Sequence, residues 1–217
     1  MQYAESKARF MDMDILVDSR VLIPRPETKL FASVVADQCR KKAWKSPFIL
    51  EIGTGSGALS FGLVKLIGTC RVIGTDISAD ALSVAEENLR RFGLEERVTL
   101  VRSDMFERFE EGYGNTFDCI VSNPPYVSEK DYEKLDAWVK AEPRIALWAG
   151  PEGMDYLNIL AERSGKFLRP GGFLALEIGY DQAEKVKDKL RACGFINIDS
   201  FKDFNGYERV IVGWKRG

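Results

Sequence analysis

Short apolar runs alternate with amphipathic patterns of helical period from residue 48 to the end of the 217-residue chain. Such alternation predicts right-handed βαβ units and a mostly parallel sheet, which is the strongest constraint that the sequence places on the fold. The predicted strands are FILEIG (48–53), RVIGTD (71–76), VTLVRSD (98–104), FDCIVS (117–122), FLALEIG (173–179), INIDSF (196–201) and ERVIVGW (208–214). The predicted helices are GALSFGLVKLI (57–67), SADALSVAEENLRRFG (78–93), MDYLNILAERSGKFL (154–168) and DQAEKVKDKLRACG (181–194).

The connections refine this prediction. Ser78 is suited to cap the second helix and Gly93 to end it. RPGG (169–172) predicts a turn before the fifth strand. KDFNGY (202–207) is too short for a helical crossover, so we expect the last two strands to be antiparallel neighbours.

Residues 1–30 are expected to form an N-terminal extension, and residues 31–217 the main domain. Within the extension, MDILVDSRVLI (13–23) predicts two short strands of a β-hairpin. PRPET (24–28) predicts a stiff loop, because its two prolines restrict the backbone. A helix is expected to follow over residues 28–41.

Composition excludes several classes of function. The chain contains no histidine, which rules out Ser-His-Asp and Cys-His machinery and removes the common imidazole metal ligand, so no metal site is expected. Its four cysteines form no CxxC pair, which indicates free thiols in a reducing cytoplasm. A net charge of −2 argues against nucleic acid as the direct substrate. No apolar run approaches ~20 residues and the N-terminus lacks a signal-peptide core, so no membrane partner is expected.

EIGTGSGA (51–58) lies at the junction of the first strand and the first helix. Gly53, Gly55 and Gly57 permit a tight turn and close approach by a ligand, although glycines alone also fit a turn that packs a helix on a strand. Asp76 ends the second strand about 20 residues later, where a carboxylate can accept hydrogen bonds from both hydroxyls of a ribose. Together these features predict a ribose-containing cofactor.

Glu51 indicates which cofactor this is. A pyrophosphate needs a free helix N-terminus, and a carboxylate close to the glycine loop would repel it. The same carboxylate suits a cationic sulfonium ligand with an amino group, which favours S-adenosylmethionine over NAD. In RSDMF (102–106), Asp104 can accept from an adenine amine and Met105 can pack on the ring, although a solvated turn also explains this segment.

NPPY (123–126) stops the fourth strand, because proline lacks the backbone donor that a central strand needs. In their order along the chain, EIGTGSG, Asp76, SDMF and NPPY resemble class I S-adenosylmethionine-dependent methyltransferases that methylate planar nitrogen. The resemblance implies a Rossmann-like α/β fold. Its sheet would have seven strands, mostly parallel with an antiparallel last strand, and helices on both faces.

Longer motifs make the resemblance more specific. VLIPRPET (21–28), NPPYV (123–127), EPRIAL (142–147) and FKDFNGYERVIVG (201–213) resemble the HemK-type protein-glutamine methyltransferases. Members of that family modify the glutamine of the Gly-Gly-Gln motif in peptide-chain release factors. The resemblance, from about Tyr3 to the C-terminus, implies a cytoplasmic enzyme that uses S-adenosylmethionine, releases S-adenosylhomocysteine and has a release factor as its partner.

The chain departs from the family pattern in three ways. Lys29 stands where the family usually has the last residue of PETE, and WAGPEGMD (148–155) replaces a glycine-rich stretch. Members usually carry a small helical N-terminal domain that helps to grip the release factor, and this chain begins where that domain would end. We expect either a catalytic-domain fragment, or a short branch with another substrate or a helper subunit.

The resemblance, together with amide chemistry, assigns the site. An amide nitrogen is a poor nucleophile because its lone pair is delocalised, so positioning must supply much of the barrier reduction. Asn123 can accept one N–H and the Pro124 carbonyl the other, which stabilises the charge that develops on nitrogen, while Tyr126 can pack on the planar group. The expected catalytic residues are Asn123, Pro124, Pro125 and Tyr126, and the expected cofactor-binding residues are Glu51, Gly53, Thr54, Gly55, Ser56, Gly57, Asp76, Ile77, Asp104, Met105 and Asn123.

Four charged residues have open roles. We expect Glu142 and Arg144 to form a structural ion pair that closes a lid over the site, in preference to a catalytic role. Arg25 and Glu27 either cover the cofactor or belong to a structural loop.

The sequence is compatible with three functions. The first is a protein-glutamine methyltransferase, and the second is a nucleic-acid methyltransferase that acts on an exocyclic base amine with the same NPPY geometry. The third is a non-catalytic binding or assembly module that kept the fold. The sequence shows no basic stretch with stacking aromatics, which disfavours the second, and it retains Asn123 and Asp76, which disfavours the third.

Overall fold

Strands and helices alternate along residues 6–217, the part of the chain that the computed structural model describes. The strands are β1 (Lys7–Phe10), β2 (Met13–Leu16), β3 (Phe48–Ile52), β4 (Arg71–Asp76), β5 (Val98–Arg102), β6 (Phe117–Ser122), β7 (Leu168–Glu177), β8 (Ile196–Lys202) and β9 (Glu208–Trp214). The helices are α1 (Pro26–Lys41), α2 (Ala58–Ile67), α3 (Ala79–Phe92), α4 (Glu129–Lys134), α5 (Ala137–Lys140), α6 (Asp155–Phe167) and α7 (Ala183–Ala192). Among these described helices, none has the length and apolar character needed to cross a membrane.

Strands β3 to β9 form one seven-stranded sheet in the spatial order β5-β4-β3-β6-β7-β9-β8. Neighbouring strands run parallel, except that β9 is antiparallel to both β7 and β8. The predicted parallel sheet with an antiparallel last strand is therefore confirmed, as is the antiparallel pairing of the two closing strands.

Two hydrophobic cores cover the two faces of this sheet. Successive strand residues point to opposite faces, so Ile49 and Phe173 belong to one core and Leu50 and Leu174 to the other. Helices α1, α2 and α3 pack on the first face, and α6 and α7 on the second. The prediction of helices on both faces is confirmed.

The prediction of two strands within residues 13–23 is wrong. The hairpin instead pairs β1 with β2 through a two-residue turn in which Met11 has φ +54°. Residues 17–23 are not part of a strand, yet Val17 and Ile23 are buried. Their apolar character reflects packing against the core rather than strand pairing.

The predicted turn at RPGG (169–172) is also wrong. These residues lie inside β7, at a point where its register with β6 shifts. Gly171 has φ +75°, and a Cβ on Gly172 would lie 2.7 Å from the Asp118 carbonyl oxygen. The two glycines therefore allow the strand to bulge without ending.

The expected N-terminal extension shares its core with the rest of the described chain. Phe10 of the hairpin is fully buried in the first core. The expected boundary at residue 30 falls inside α1, which begins at Pro26 and thus two residues earlier than predicted, because proline suits the first helical turn. Glu27 consequently lies in a helix rather than in a loop, and residues 1–5 of the extension lie outside the described residues.

Asn88, which is fully buried in α3, joins the hairpin to the glycine loop. Its Oδ1 accepts a hydrogen bond from the Leu16 N–H at 2.8 Å. Its Nδ2 donates to the carbonyls of Leu16 and Ser56, both at 3.0 Å. One side chain therefore connects β2, α3 and the loop that follows β3.

We predict that Asn88→Ala lowers the free energy of unfolding by about 2–3 kcal/mol, because buried backbone groups would lose their partners. Urea denaturation measures this change. Glu86→Ala on the same helix is the control: Glu86 forms an exposed ion pair with Arg90, and its loss should change stability by less than about 0.5 kcal/mol. Equal stability of the two variants would contradict the prediction.

Candidate active site

A cavity of about 350 Å³ opens at the carboxyl ends of β3, β4 and β6. Strand β3 lies between β4 and β6, so the strand order reverses at this point. Ligands of open α/β sheets bind in the crevice that such a reversal creates. The expected site residues that line the cavity are Glu51, Gly53, Thr54, Gly55, Ser56, Asp76, Ile77, Asp104, Met105, Asn123, Pro124 and Pro125.

The glycine loop after β3 exposes bare backbone to the cavity. The amides of Gly53 and Thr54 both donate to the Thr75 carbonyl, at 2.8 and 2.7 Å. Gly53 and Gly55 have φ of +77° and +54°, and no atom lies within 4 Å of a Cβ built on either residue. A ligand can therefore approach this backbone closely, as the sequence predicted.

Gly57 differs from the other two glycines of the loop, because it is the N-cap of α2 and is not among the described residues that line the cavity. It has φ +85°, and a Cβ there would lie 2.3 Å from the Phe61 ring. The alternative role that the sequence left open, a turn that packs a helix on a strand, thus applies to Gly57. Gly53 and Gly55 face the cavity instead.

Asp76 ends β4, and its carboxylate holds the glycine loop in place. Oδ2 accepts from the Gly55 N–H at 2.9 Å and Oδ1 from the Ser78 N–H at 3.0 Å. Burial raises the pKa of Asp76, and these backbone donors lower it. Ser78 also caps α3, since its side chain accepts from the Ala81 N–H, so the predicted cap is confirmed.

Glu51 is buried at the base of the cavity rather than free beside the loop. Its Oε2 accepts from the Thr54 hydroxyl at 2.9 Å and also from the Ser60 hydroxyl. Burial raises the pKa of Glu51 to about 7. The carboxyl therefore carries a full negative charge only above neutral pH, or when a bound cation lowers its pKa.

Asp104 and Met105 form the part of the cavity lining that follows β5. Asp104 is exposed, whereas Met105 is half-buried with φ +46°. Tyr156 from α6 lines the same region, and burial, followed by the nearby Asp104 charge, raises the pKa of Tyr156. The structure thus places a carboxylate beside apolar side chains at one end of the cavity.

Asn123, Pro124 and Pro125 line the cavity where β6 ends. Asn123 is half-buried, and its Nδ2 donates to the Thr28 hydroxyl oxygen at 3.4 Å. Within residues 6–217, neither Asn123 Oδ1 nor the Pro124 carbonyl accepts a protein hydrogen bond. Two acceptors on adjacent residues are therefore available to a ligand.

Tyr126 lies apart from the other NPPY residues. It is not among the described residues that line the cavity, and its ring packs against the second core. Its carbonyl accepts from Gln182 Nε2 at 2.9 Å. Burial raises the pKa of Tyr126, so the phenol is neutral at neutral pH. Its expected packing on a planar substrate remains a prediction.

Sequence reasoning missed two polar residues beside Asn123. Thr28 is buried in the first turn of α1 and lines the cavity. Glu177 ends β7 next to Asn123, because Ser122 pairs with Leu176 in the parallel register. Burial raises the pKa of Glu177 to about 7, while the Thr28 hydroxyl and the Asn123 amide lower it. The only local sequence signal for Glu177 was that it is an acid within the predicted strand FLALEIG (173–179), which does not by itself indicate contact with Asn123.

The remaining lining residues are mostly apolar and had no local signal, because apolar side chains in a sequence indicate core equally well. They come from the segment before α1, from α2 and α3, from the segment between β6 and α6, and from α6 itself. They include Val21, Leu22, Pro24, Ala58, Leu59, Ala81, Pro143, Ile145, Ala146 and Ile159.

The expected ion pair between Glu142 and Arg144 is wrong. Glu142 is buried in the lid segment, which we define as residues 127–154, and it pairs with Arg25 at 2.5 Å. Burial raises the pKa of Glu142, and the Arg25 charge lowers it. Arg25 also lies over the Trp138 ring at 5.4 Å. Arg25 therefore connects the lid segment to the segment before α1.

Arg144 stays within the lid segment. It lies 3.8 Å from Glu129 and stacks over the rings of Trp148 and Tyr132, at 5.0 and 5.3 Å. Neither Arg25 nor Glu27 is among the described residues that line the cavity. Their expected role in covering a cofactor remains a prediction.

Comparison with known proteins agrees with this geometry. A family model described as a methyltransferase domain matches residues 45–203. The chain is 40% identical over 217 residues to the release factor glutamine methyltransferase of Moorella thermoacetica, a match that covers 100% of this chain and 75% of that relative. It is 37% identical over 218 residues to the protein of the same name from Clostridium acetobutylicum, again with 100% and 75% covered.

Among solved structures, a methyltransferase from Pyrococcus furiosus matches with a TM-score of 0.69 over 95% of this chain and 91% of that chain. Because the two are 21% identical, this likeness concerns the fold alone. It confirms the expected Rossmann-like class I methyltransferase fold. The identities to curated relatives go further, and they show that the chain belongs to the release factor glutamine methyltransferase family of S-adenosylmethionine-dependent enzymes.

Proposed function

We propose that this chain transfers a methyl group from S-adenosylmethionine to the glutamine amide nitrogen in the Gly-Gly-Gln motif of a peptide-chain release factor. The observation that carries the proposal is one cavity that contains both a bare glycine loop and the adjacent acceptors of Asn123 and Pro124. The names of relatives at 40% and 37% identity support the same substrate.

The cavity suits a ribose-bearing ligand with a positive charge. Gly53 and Gly55 leave space for close approach. Each oxygen of the Asp76 carboxylate accepts one backbone N–H and keeps further lone pairs for ribose hydroxyls. Glu51 supplies a second carboxyl in the lining. S-adenosylmethionine, when bound, supplies a methyl group on a positively charged sulfur.

Asn123 and Pro124 would prepare the amide for reaction. Each accepts one N–H of the substrate amide, so the nitrogen is held in one orientation and the charge that develops on it is stabilised. Two consecutive prolines restrict the backbone and fix the direction of the Pro124 carbonyl. The nitrogen gains the methyl group and loses one proton to solvent, so no histidine base is required.

A protein loop suits this chain better than a nucleic-acid base. The net charge is −2, and cations beside the cavity are neutralised: Arg25 pairs with Glu142 and Arg20 with Asp18. A base would need phosphate contacts and extrusion from its stack. A small loop can present its side-chain amide to the cavity without either.

The proposal predicts that Asp76→Ala weakens binding of S-adenosylmethionine by about 1.5–3 kcal/mol, because a charged acceptor for ribose is lost. Isothermal titration calorimetry measures the affinity. Asp80→Ala, an exposed acid in the first turn of α3, is the matched control and should bind normally. If both variants bind alike, Asp76 has no part in the site.

Asn123→Ala is expected to leave cofactor affinity nearly unchanged and to lower kcat by ~10²–10³, the effect of losing an oriented electrostatic partner. Methyl transfer to release factor at saturating cofactor measures this. Asn115→Ala is the control, since Asn115 bonds Lys215 on the surface, and it should retain full turnover. Normal turnover of Asn123→Ala would leave NPPY as a structural turn.

The substrate itself is tested with labelled cofactor on three separate samples: release factor, a Gln→Asn variant of its Gly-Gly-Gln loop, and total RNA. We expect label in the unmodified release factor alone. Its methylation should depend weakly on salt, whereas a protein with 6–10 phosphate contacts loses ~10³–10⁵ in affinity over a modest salt rise. Label in RNA, or equal label in the Asn variant, would overturn the proposal.

A further inference from the structure

Glu177 and Asn123 are neighbours across the parallel strands β7 and β6. Ser122 pairs with Leu176, so the next residues along the two strands are Asn123 and Glu177. Side chains at equivalent positions of neighbouring strands leave the sheet on the same face. Glu177 is buried and is not among the described residues that line the cavity, whereas Asn123 lines it.

The Glu177 carboxyl is buried without a complete set of partners. The residue is 1% exposed, and its Oε2 has no hydrogen-bond partner among the described residues. Arg209 of β9, whose charge lowers the pKa of Glu177, donates to Asp203 Oδ2 at 3.0 Å. Burying a carboxylate without full pairing costs folding free energy, so this acid is not explained by stability.

We propose that Glu177 is a positioning residue, whose carboxylate accepts a hydrogen bond from Asn123 Nδ2 and thereby keeps Asn123 Oδ1 directed at the substrate amide. This inference rests on the proposed function, in which Asn123 holds that amide. The other N–H of Asn123 Nδ2 is already directed at the Thr28 hydroxyl oxygen, at 3.4 Å. With Glu177, both donors of the Asn123 amide would be occupied.

The orientation of Asn123 matters because the two ends of its amide have opposite hydrogen-bonding character. A flipped amide would direct its own N–H groups at the N–H groups of the substrate, which repel. An ionised carboxylate accepts hydrogen bonds and donates none, so it selects the productive orientation. A protonated carboxyl can instead donate to Asn123 Oδ1 and so permit the flipped one.

The same carboxylate adds an electrostatic effect. Its negative charge lies beside Asn123, in the adjoining strand, while positive charge develops on the substrate nitrogen. Preorganised charges in a site with little water act strongly on such developing charge. Both effects require the ionised form of Glu177.

These effects predict a pH dependence with a definite sign. Burial is the main cause that raises the pKa of Glu177 to about 7, and the Glu27 charge also raises it. Hydrogen bonding from Thr28 and Asn123 and the charge of Arg209 lower this pKa. The Tyr126 phenol also faces Glu177 but stays neutral, because burial raises its pKa. Turnover should therefore be full above pH 7 and fall as pH drops through about 7.

Stability should change in the opposite direction. A carboxyl whose pKa rises from 4.5 unfolded to about 7 folded takes up protons more readily in the folded state. The folded state consequently loses stability as pH rises through this window. A Glu177 variant without the charge should be at least as stable as wild type at pH 8, while it is less active.

The test uses two variants of the full chain with release factor as substrate. Glu177→Leu removes the acceptor, and we expect kcat to fall roughly 10–100-fold, as when an orienting partner is removed at metal sites. Glu177→Gln keeps the volume and removes the charge, so its kcat should lie between those of wild type and Glu177→Leu. This kcat should show no dependence on pH from about 5.5 to 8.5. KM for S-adenosylmethionine should stay within about twofold in both.

Two further variants distinguish Glu177 from its surroundings. Glu51→Gln tests the other buried acid with a pKa of about 7, and its kcat should keep the wild-type decrease below pH 7. Thr28→Val should lower kcat, and its effect should be non-additive with Glu177→Leu, since both act through Asn123.

Three results would overturn the inference. The first is wild-type kcat in Glu177→Leu, and the second is a pH dependence that disappears in Glu51→Gln but persists in Glu177→Gln. The third is a kcat loss that only matches a loss of folded protein in thermal unfolding. If wild type fails to methylate release factor, the proposed function falls and this inference with it. If wild type is active, any one of the three results overturns the inference about Glu177 and leaves the proposed function unaffected.

Discussion

The position of β3 between β4 and β6 is the constraint on which the site depends. The chain places β4 and β5 on one side of β3 and then returns to place β6 on the other. Because all these strands are parallel, the segments that follow them leave from one edge and separate above β3. The glycine loop, Asp76 and NPPY therefore converge there, although they are as far apart in the sequence as residues 53 and 126. The shared direction of the strands brings them together.

Acids at the ends of three strands determine the electrostatics of the site. Burial raises the pKa of Glu51, Asp76 and Glu177. Each therefore opposes folding as it ionises, and apolar residues of similar volume would generally stabilise such positions more. The two cores on either face of the sheet offset that cost. For Glu51 and Glu177, whose pKa values burial raises to about 7, this cost appears as pH rises through neutrality.

The parts of the site that the sequence predicted are local in the chain. A glycine turn, an acid at a strand end and a proline pair each have a signature within a few residues, and hydrophobic period places the strands between them. The errors depend on distant contacts. Arg25, far away in sequence, displaces Arg144 as the partner of Glu142. Thr28 and Glu177 were missed because nothing in their own segments indicates that both adjoin Asn123.

The segment before α1 and the first turn of α1 form part of the wall of the cavity. Asn88 of α3 forms hydrogen bonds with the β1–β2 hairpin that precedes this segment. Thr28 lies next to Asn123, and Arg25 forms an ion pair with the buried Glu142. Separating a buried ion pair is strongly unfavourable, because it leaves an uncompensated charge. Arg144 and Glu129, 3.8 Å apart, both belong to the lid segment, so their exposed contact does not join it to the rest of the structure. The buried Arg25–Glu142 pair, by contrast, anchors the lid segment to the segment before α1.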